Sequence, residues 1–163
     1  MDDRRIRFID SKYNELFTIP DGGSIVIKHP NGEEYVGECK YIDEAHFAIR
    51  GSCYHICQFA ESQERSGATV EIEKEPEMVG GYRITHRVPV GNKVYMMGHN
   101  PNAASPYATW QAYRDKPGKD WGHYWTSKSI AFDDLHCRAE AERTGKPYDH
   151  TQKHGQKNRE DTR

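Results

Sequence analysis

No stretch of this chain approaches the roughly 20 consecutive apolar residues that cross a bilayer. No apolar leader follows the charged start Met1-Asp2-Asp3-Arg4-Arg5, which runs straight into alternating sequence. The expectation is a cytoplasmic protein with no membrane partner. Apolar residues are scarce as well: the hydrophobic share is 35% and the mean hydropathy −0.98. The 3 Trp, 10 Tyr and 5 Phe supply burial area that aliphatic residues do not, which argues against disorder throughout. Cysteine is sparse, with four in all. In a reducing compartment these are small buried hydrophobes, less often metal ligands.

Several catalytic signatures are missing too. The chain has no nucleophile elbow, no phosphate-binding glycine loop, no metalloprotease helix motif and no calcium loop. The separated acidic residues of the second half form no metal-nuclease cluster. These absences weigh against an enzyme, and no cofactor is expected.

What is present is an uneven charge distribution. Residues 1–78 carry 9 Lys/Arg against 16 Asp/Glu, and residues 79–163 carry 14 against 9, a net −7 followed by +5. An acidic half suits a basic protein, and a basic half suits an acidic protein or phosphates. The plainer alternative is that both are ordinary solvated faces.

A chain of 163 residues holds one domain or two small ones. Period-2 alternation marks a strand at Arg5-Ile6-Arg7-Phe8-Ile9, with Ile6 and Phe8 on one face. Asp21-Gly22-Gly23 and Asn31-Gly32 supply turns around a strand at 24–28, and Glu34 to Ile42 returns with Tyr35, Gly37, Cys39 and Tyr41 on one face. A further strand covers 45–50. Ser52 is then a candidate N-cap for a helix carrying Cys53, Ile56, Cys57 and Ala60, closed by Gly67, and a last strand covers 68–73. The charged, proline-containing run Glu73-Lys74-Glu75-Pro76-Glu77 followed by Val79-Gly80-Gly81 places a boundary at the glycines.

The second half repeats this plan, with strands expected at 82–90, 93–97, 107–113 and 122–127. A helix from about Ser129 to Arg143 carries a stripe of Phe132, Leu135, His136 and Ala139 and stops at Gly145. The predicted class is α+β: two modules, residues 1–78 and 79–148, each an antiparallel β-meander with one packed helix. Residues 149–163 form a polar tail without a core-forming pattern.

Three sets of residues are chemical candidates. Cys39, Cys53, His55 and Cys57 offer thiolate and imidazole ligands suited to tetrahedral zinc, although two cysteines four apart on a helix are more often core. His123, flanked by Asp120 and aromatic rings, together with His99, Asp133 or His136, offers general acid and base groups for metal-free RNA cleavage. Against this, a histidine beside tryptophan is usually structural. Finally, Arg114, Lys116, Lys119 and Lys128, interleaved with Trp110, Tyr113, Trp121 and Tyr124, make a candidate cationic, stacking surface for nucleic acid, or else the rings are simply the module's core. The loop 98–106, with two prolines, is a stiffened excursion that either presents itself to a partner or is inert.

At Arg5-Ile6-Arg7-Phe8-Ile9-Asp10, Ile19-Pro20-Asp21-Gly22-Gly23 and Cys53-Tyr54-His55-Ile56-Cys57-Gln58-Phe59-Ala60 the first module resembles a large polyvalent protein-associated domain of Firmicutes conjugative elements. With Asn100-Pro101, Ser105-Pro106-Tyr107, Thr109-Trp110-Gln111, Trp121-Gly122-His123-Tyr124, Ala131, Asp134 and Arg138, the second resembles another small module of such elements and of phages. The resemblance implies a mobile-element accessory protein in a bacterial host, and it carries over no catalytic residue. Small proteins of these elements include inhibitors of type II CRISPR effector nucleases, so the expected role is binding to a protein or ribonucleoprotein, such as that effector or its guide RNA. The alternatives are a small His-dependent ribonuclease and a nucleic-acid-binding regulator of a conjugative element.

Overall fold

The computed structural model describes residues Arg4–Lys146; the tail expected at 149–163 lies outside them. The fold is α+β, with mostly antiparallel strands and two helices among the described residues. Two compact units divide between Glu75 and Pro76.

In the first unit β1 (Arg5–Ile9) and β2 (Glu15–Pro20) form a two-stranded antiparallel pair. Strands β3 (Ser24–Lys28), β4 (Glu34–Asp43), β5 (His46–Ile49), β6 (Ser52–His55) and β7 (Thr69–Ile72) form an antiparallel set. Here β7, β3 and β4 lie side by side, and the far half of β4 turns to β5 and then β6. Helix α1 (Ile56–Ser66) packs on β1 and β6. Alternation delivers Ile6 and Phe8 to a buried cluster with Ile25, Ile27, Cys39, Phe47, Ile49 and Phe59. The Phe8 ring centre lies 4.9 Å from that of Phe17, 5.1 Å from Phe47 and 5.9 Å from Phe59. Each such ring contributes about 2 kcal/mol by burial, so a few aromatics replace many aliphatic residues.

One expectation fails here. Ser52 does not open α1; residues Ser52–His55 extend as β6, with His46 to Ile49 of β5 opposite. His55 is the N-cap, its Nδ1 accepting the Cys57 N–H at 3.0 Å. The helical spacing of Cys53 with Ile56, Cys57 and Ala60 carries the expected helix one turn too far, because histidine is an uncommon cap and the three residues before it, Ser52 to Tyr54, are extended.

The second unit is a meander of β8 (Met78–Val79), β9 (Tyr82–Val90), β10 (Lys93–His99), β11 (Tyr107–Tyr113) and β12 (Asp120–Trp125), with α2 (Lys128–Thr144) packed on it. Val79-Gly80-Gly81 is not a linker: Val79 pairs with Tyr82 and Met78 with Arg83. Gly80 and Gly81, both at positive φ, turn this hairpin as only glycine does cheaply.

The sheet has two apolar faces. Val88, Tyr95, Met97 and Trp125 face α2 and meet Ala131, Leu135 and Ala139, whereas Tyr82, Ile84, Met96, Ala108, Trp110 and Ala112 cluster on the other face. In β9 the buried positions are all even-numbered, yet Ile84 and Val88 serve different faces. The register explains this: His86 opposes Met97 and Ile84 opposes Gly98, so Thr85 is an extra residue that rotates the strand between them.

The helix stripe is also rotated from its predicted position. Its buried residues are Ala131, Asp134, Leu135, Arg138 and Ala139, while Phe132 is exposed. Two of the five are charged, so apolar spacing alone shifts the stripe toward Phe132 and His136.

Candidate functional site

The site grows from a second bulge. Thr109 of β11 opposes His123, and Gln111 opposes Asp120, so Trp121 and Gly122 together face Trp110. Such a two-against-one arrangement re-aims a side chain. Trp121 adopts φ +55°, a conformation that strains a bulky residue, and its indole is 73% exposed. Gly122 leaves room for its neighbours, since a Cβ there would fall 2.9 Å from Tyr124 Oη and 3.1 Å from Trp110 Nε1.

Beyond the bulge, cross-strand pairing puts His123 on the α2 side with Thr109. Its Nδ1 lies 3.0 Å from Oδ2 of the fully buried Asp134. The Thr109 hydroxyl donates to the same oxygen at 2.5 Å, and Arg138 Nη1 donates to Thr109 Oγ1 at 3.2 Å and to its carbonyl at 3.4 Å. The Arg138 guanidinium also sits over the Tyr95 ring, 5.9 Å from its centre. Asp134 and Arg138 are four apart on α2, so one helical turn aims both at Thr109.

His123 and Arg138 wall a cleft of about 480 Å³ that Tyr95, Gln111, Trp121 and Lys146 also border. Glu142 also borders it, but its Oε1 accepts from Lys93 Nζ at 2.8 Å and Tyr95 Oη at 3.3 Å. The Lys93 bond holds this carboxyl below its ordinary range, and Lys93 is raised by the same bond. Burial raises the Tyr95 hydroxyl, keeping it a donor at neutral pH. Chemically, the arrangement joins an anchored imidazole, a nearly buried guanidinium and an exposed indole.

The three histidines named as acid and base groups are not assembled. His99 stacks on Tyr107 with ring centres 4.8 Å apart, its pKa lowered by burial and then by Lys128. His136 packs on Phe132, which meets His86 of β9, so it lies on the flank of α2 away from β12. Asp120 and Asp133 are exposed; the carboxylate at His123 is Asp134.

The basic aromatic residues separate as well. Trp110 is buried, with ring centres 5.5 Å from Tyr82 and 6.4 Å from Tyr124. Tyr124 is partly exposed beside it, on the face opposite His123. Lys116 lies over Tyr113 at 5.3 Å, with Lys93 at 5.7 Å from the same ring. Arg114 and Lys116 are exposed in the β11–β12 connection and Lys128 at the start of α2, whereas Lys119 reaches Glu77 at 3.5 Å. Trp121 and His123 alone among the named residues share the cleft. The loop 98–106 is tied down, with the Tyr82 hydroxyl donating to the Ser105 carbonyl at 2.6 Å.

The zinc candidates do not converge on one helix face: Cys53 is exposed on β6, His55 caps α1, and Cys57 begins that helix. Cys39 is buried in β4, its thiol pushed up to about 12 by burial first and by Glu38 next. No group of three or more His, Cys, Asp or Glu among the described residues is placed to hold a metal ion. Nor is any described helix long and apolar enough to cross a membrane.

Residue type alone does not mark Asp134, Arg138 and Thr109 as chemical candidates, although the first two carry a signal: two opposite charges at i and i+4 within an apolar stripe call for a buried polar partner. Comparison of the chain with protein-family models, with curated proteins and with solved structures returned no match.

Proposed function

We propose that this protein is a mobile-element accessory factor that acts by binding, and specifically a counter-defence inhibitor of a type II CRISPR effector nuclease. The observation that supports binding is Trp121, a large indole 73% exposed on a left-handed backbone position. A bulky residue held at a left-handed backbone position is an outlier of the kind that clusters at ligand clamps and functional sites. Exposed Arg114 and Lys116 and the Lys-flanked Tyr113 ring add cationic surface suited to guide RNA or an acidic protein face. The mobile-element setting comes from the resemblance of the two halves to modules of such elements.

Cleavage of target DNA by a guide-loaded effector, with and without the full-length protein, tests the reading. Protection that falls when Trp121 becomes Ala upholds it. Full cleavage at saturating protein, with no complex on size-exclusion chromatography, overturns it.

A second reading, a His-dependent ribonuclease, is favoured by one contact, His123 Nδ1 to Asp134 Oδ2. A carboxylate accepting the Nδ1 proton leaves Nε2 as the basic nitrogen, suited to taking the proton of an RNA 2′-hydroxyl. This reading predicts RNA cleavage that His123→Gln abolishes without loss of fold; intact RNA after prolonged incubation with wild-type protein removes it.

A further inference from the structure

We propose that the cleft between β12 and α2 binds a nucleotide unit, the base stacking on Trp121 and the phosphate meeting His123, Arg138 and Lys146. This goes beyond the counter-defence reading and does not depend on it, because the ligand could be a free nucleoside monophosphate or one nucleotide of a single-stranded RNA.

Four features carry the inference. The cleft's volume of about 480 Å³ falls in the range of small-ligand sites, roughly 300 to 1,000 Å³. Its stacking element is separate from its charged wall: the Trp121 indole stands exposed at the rim, as sequence-tolerant base stacking requires. Its cation is pre-organised, because Arg138 is only 7% exposed yet lines the cleft, fixed by Thr109 and the Tyr95 ring. A guanidinium held in this way presents its fork with little further loss of side-chain entropy.

The last feature is charge balance at the wall. Glu142 would repel a phosphate, but its Oε1 is engaged by Lys93 and Tyr95. Asp134 lies buried behind His123 and Thr109, orienting the imidazole while the guanidinium and Lys146 face the ligand. Gln111 adds an amide that can donate to or accept from a base edge. Glycine-loop chemistry is not needed for this mode, which uses side chains where other sites use backbone N–H groups.

The test is a titration of full-length, ¹⁵N-labelled protein followed at the indole N–H resonances. Trp110 and Trp125, both buried, serve as internal controls for Trp121. The probes are adenosine and uridine monophosphates, the matching nucleosides, inorganic phosphate and a tetranucleotide RNA. Either a monophosphate or the tetranucleotide should shift the Trp121 signal selectively and shield it from acrylamide quenching, and comparing the two identifies the source. Nucleosides and inorganic phosphate should bind roughly tenfold or more weakly, and Trp121→Ala should weaken nucleotide binding by a similar factor. Lys146→Ala, a change at an exposed residue, should weaken monophosphate more than nucleoside. An unmoved Trp121 resonance with both nucleotide and RNA overturns the site, as does binding that Trp121→Ala leaves unchanged. Nuclease inhibition without nucleotide binding refutes this inference alone, and nucleotide binding without inhibition refutes only the counter-defence reading.

Discussion

His123 Nδ1 lies 3.0 Å from Asp134 Oδ2, joining β12 to α2 through a carboxylate that is fully buried. Because the Thr109 hydroxyl shares that oxygen, a single atom of the helix fixes two neighbouring strands. The contact therefore both orients an imidazole at the cleft and locks the helix in register with the sheet.

Asp134→Ala should destabilise the protein by roughly 3 kcal/mol, since it strips the acceptor from two donors and leaves Arg138 without its counter-charged neighbourhood. Asp134→Asn, which keeps one carbonyl acceptor, should cost about half as much. Urea unfolding measures both. A loss below about 1 kcal/mol for the alanine variant would show that the network does not hold the helix.

Gly98→Ala should lower stability by about 1 to 3 kcal/mol through overpacking. A Cβ there would fall 2.9 Å from the Trp110 ring and 3.1 Å from Tyr82 Cβ. The ring has little freedom to retreat, because Gly122 approaches its opposite end. A drop in Tm accompanied by a change in tryptophan emission is the expected result.

The sequence exposes most of this fold because strands advertise themselves by alternation and hairpins by glycine. Residues 5–9, 24–28, 82–90 and 107–113 all form strands at the expected places. Alternation is silent about bulges, however, and the two at Thr85 and Trp121 decide which residues face α2. Nor does residue type distinguish Trp110, which is core, from Trp121, which is exposed; eleven positions apart on neighbouring strands, they are told apart only by register. The buried pair Asp134 and Arg138 hid for the opposite reason, since charge on a helix is ordinarily assigned to solvent.

His99 makes stability pH-dependent in a defined direction. Burial, then the Lys128 charge, lowers its folded pKa below the ordinary histidine value of 6.5. The unfolded state thus binds the proton more readily, and stability rises with pH from the folded pKa up to the unfolded one. Above about pH 7 the contribution is fully retained, and it is lost as pH falls through 6.5 toward the lower folded value. Urea unfolding at about pH 5 and about pH 7.5 should show a steeper loss for wild type than for His99→Gln. Equal slopes would contradict the assignment.

Replacing the cap residue of α1 by alanine, His55→Ala, should cost about 1 kcal/mol, because the Cys57 N–H loses its acceptor. His55→Asn should restore most of that loss, as asparagine is among the better capping residues. Thermal denaturation followed by circular dichroism compares the three; equal melting temperatures for the alanine and asparagine variants would argue against a capping role.

The hairpin around Gly80-Gly81 also governs how the chain can be dissected. A cut after residue 78 would remove Met78 from its pairing with Arg83. It would also remove Glu77, whose carboxylate bonds Arg87 at 2.9 Å and reaches Lys119 at 3.5 Å and whose carbonyl accepts the Ile84 N–H. A fragment beginning at Pro76 keeps all of these. The residues that look from their composition like a tether are thus the first part of the second unit, and a fragment lacking them would report on a damaged sheet rather than on an isolated half.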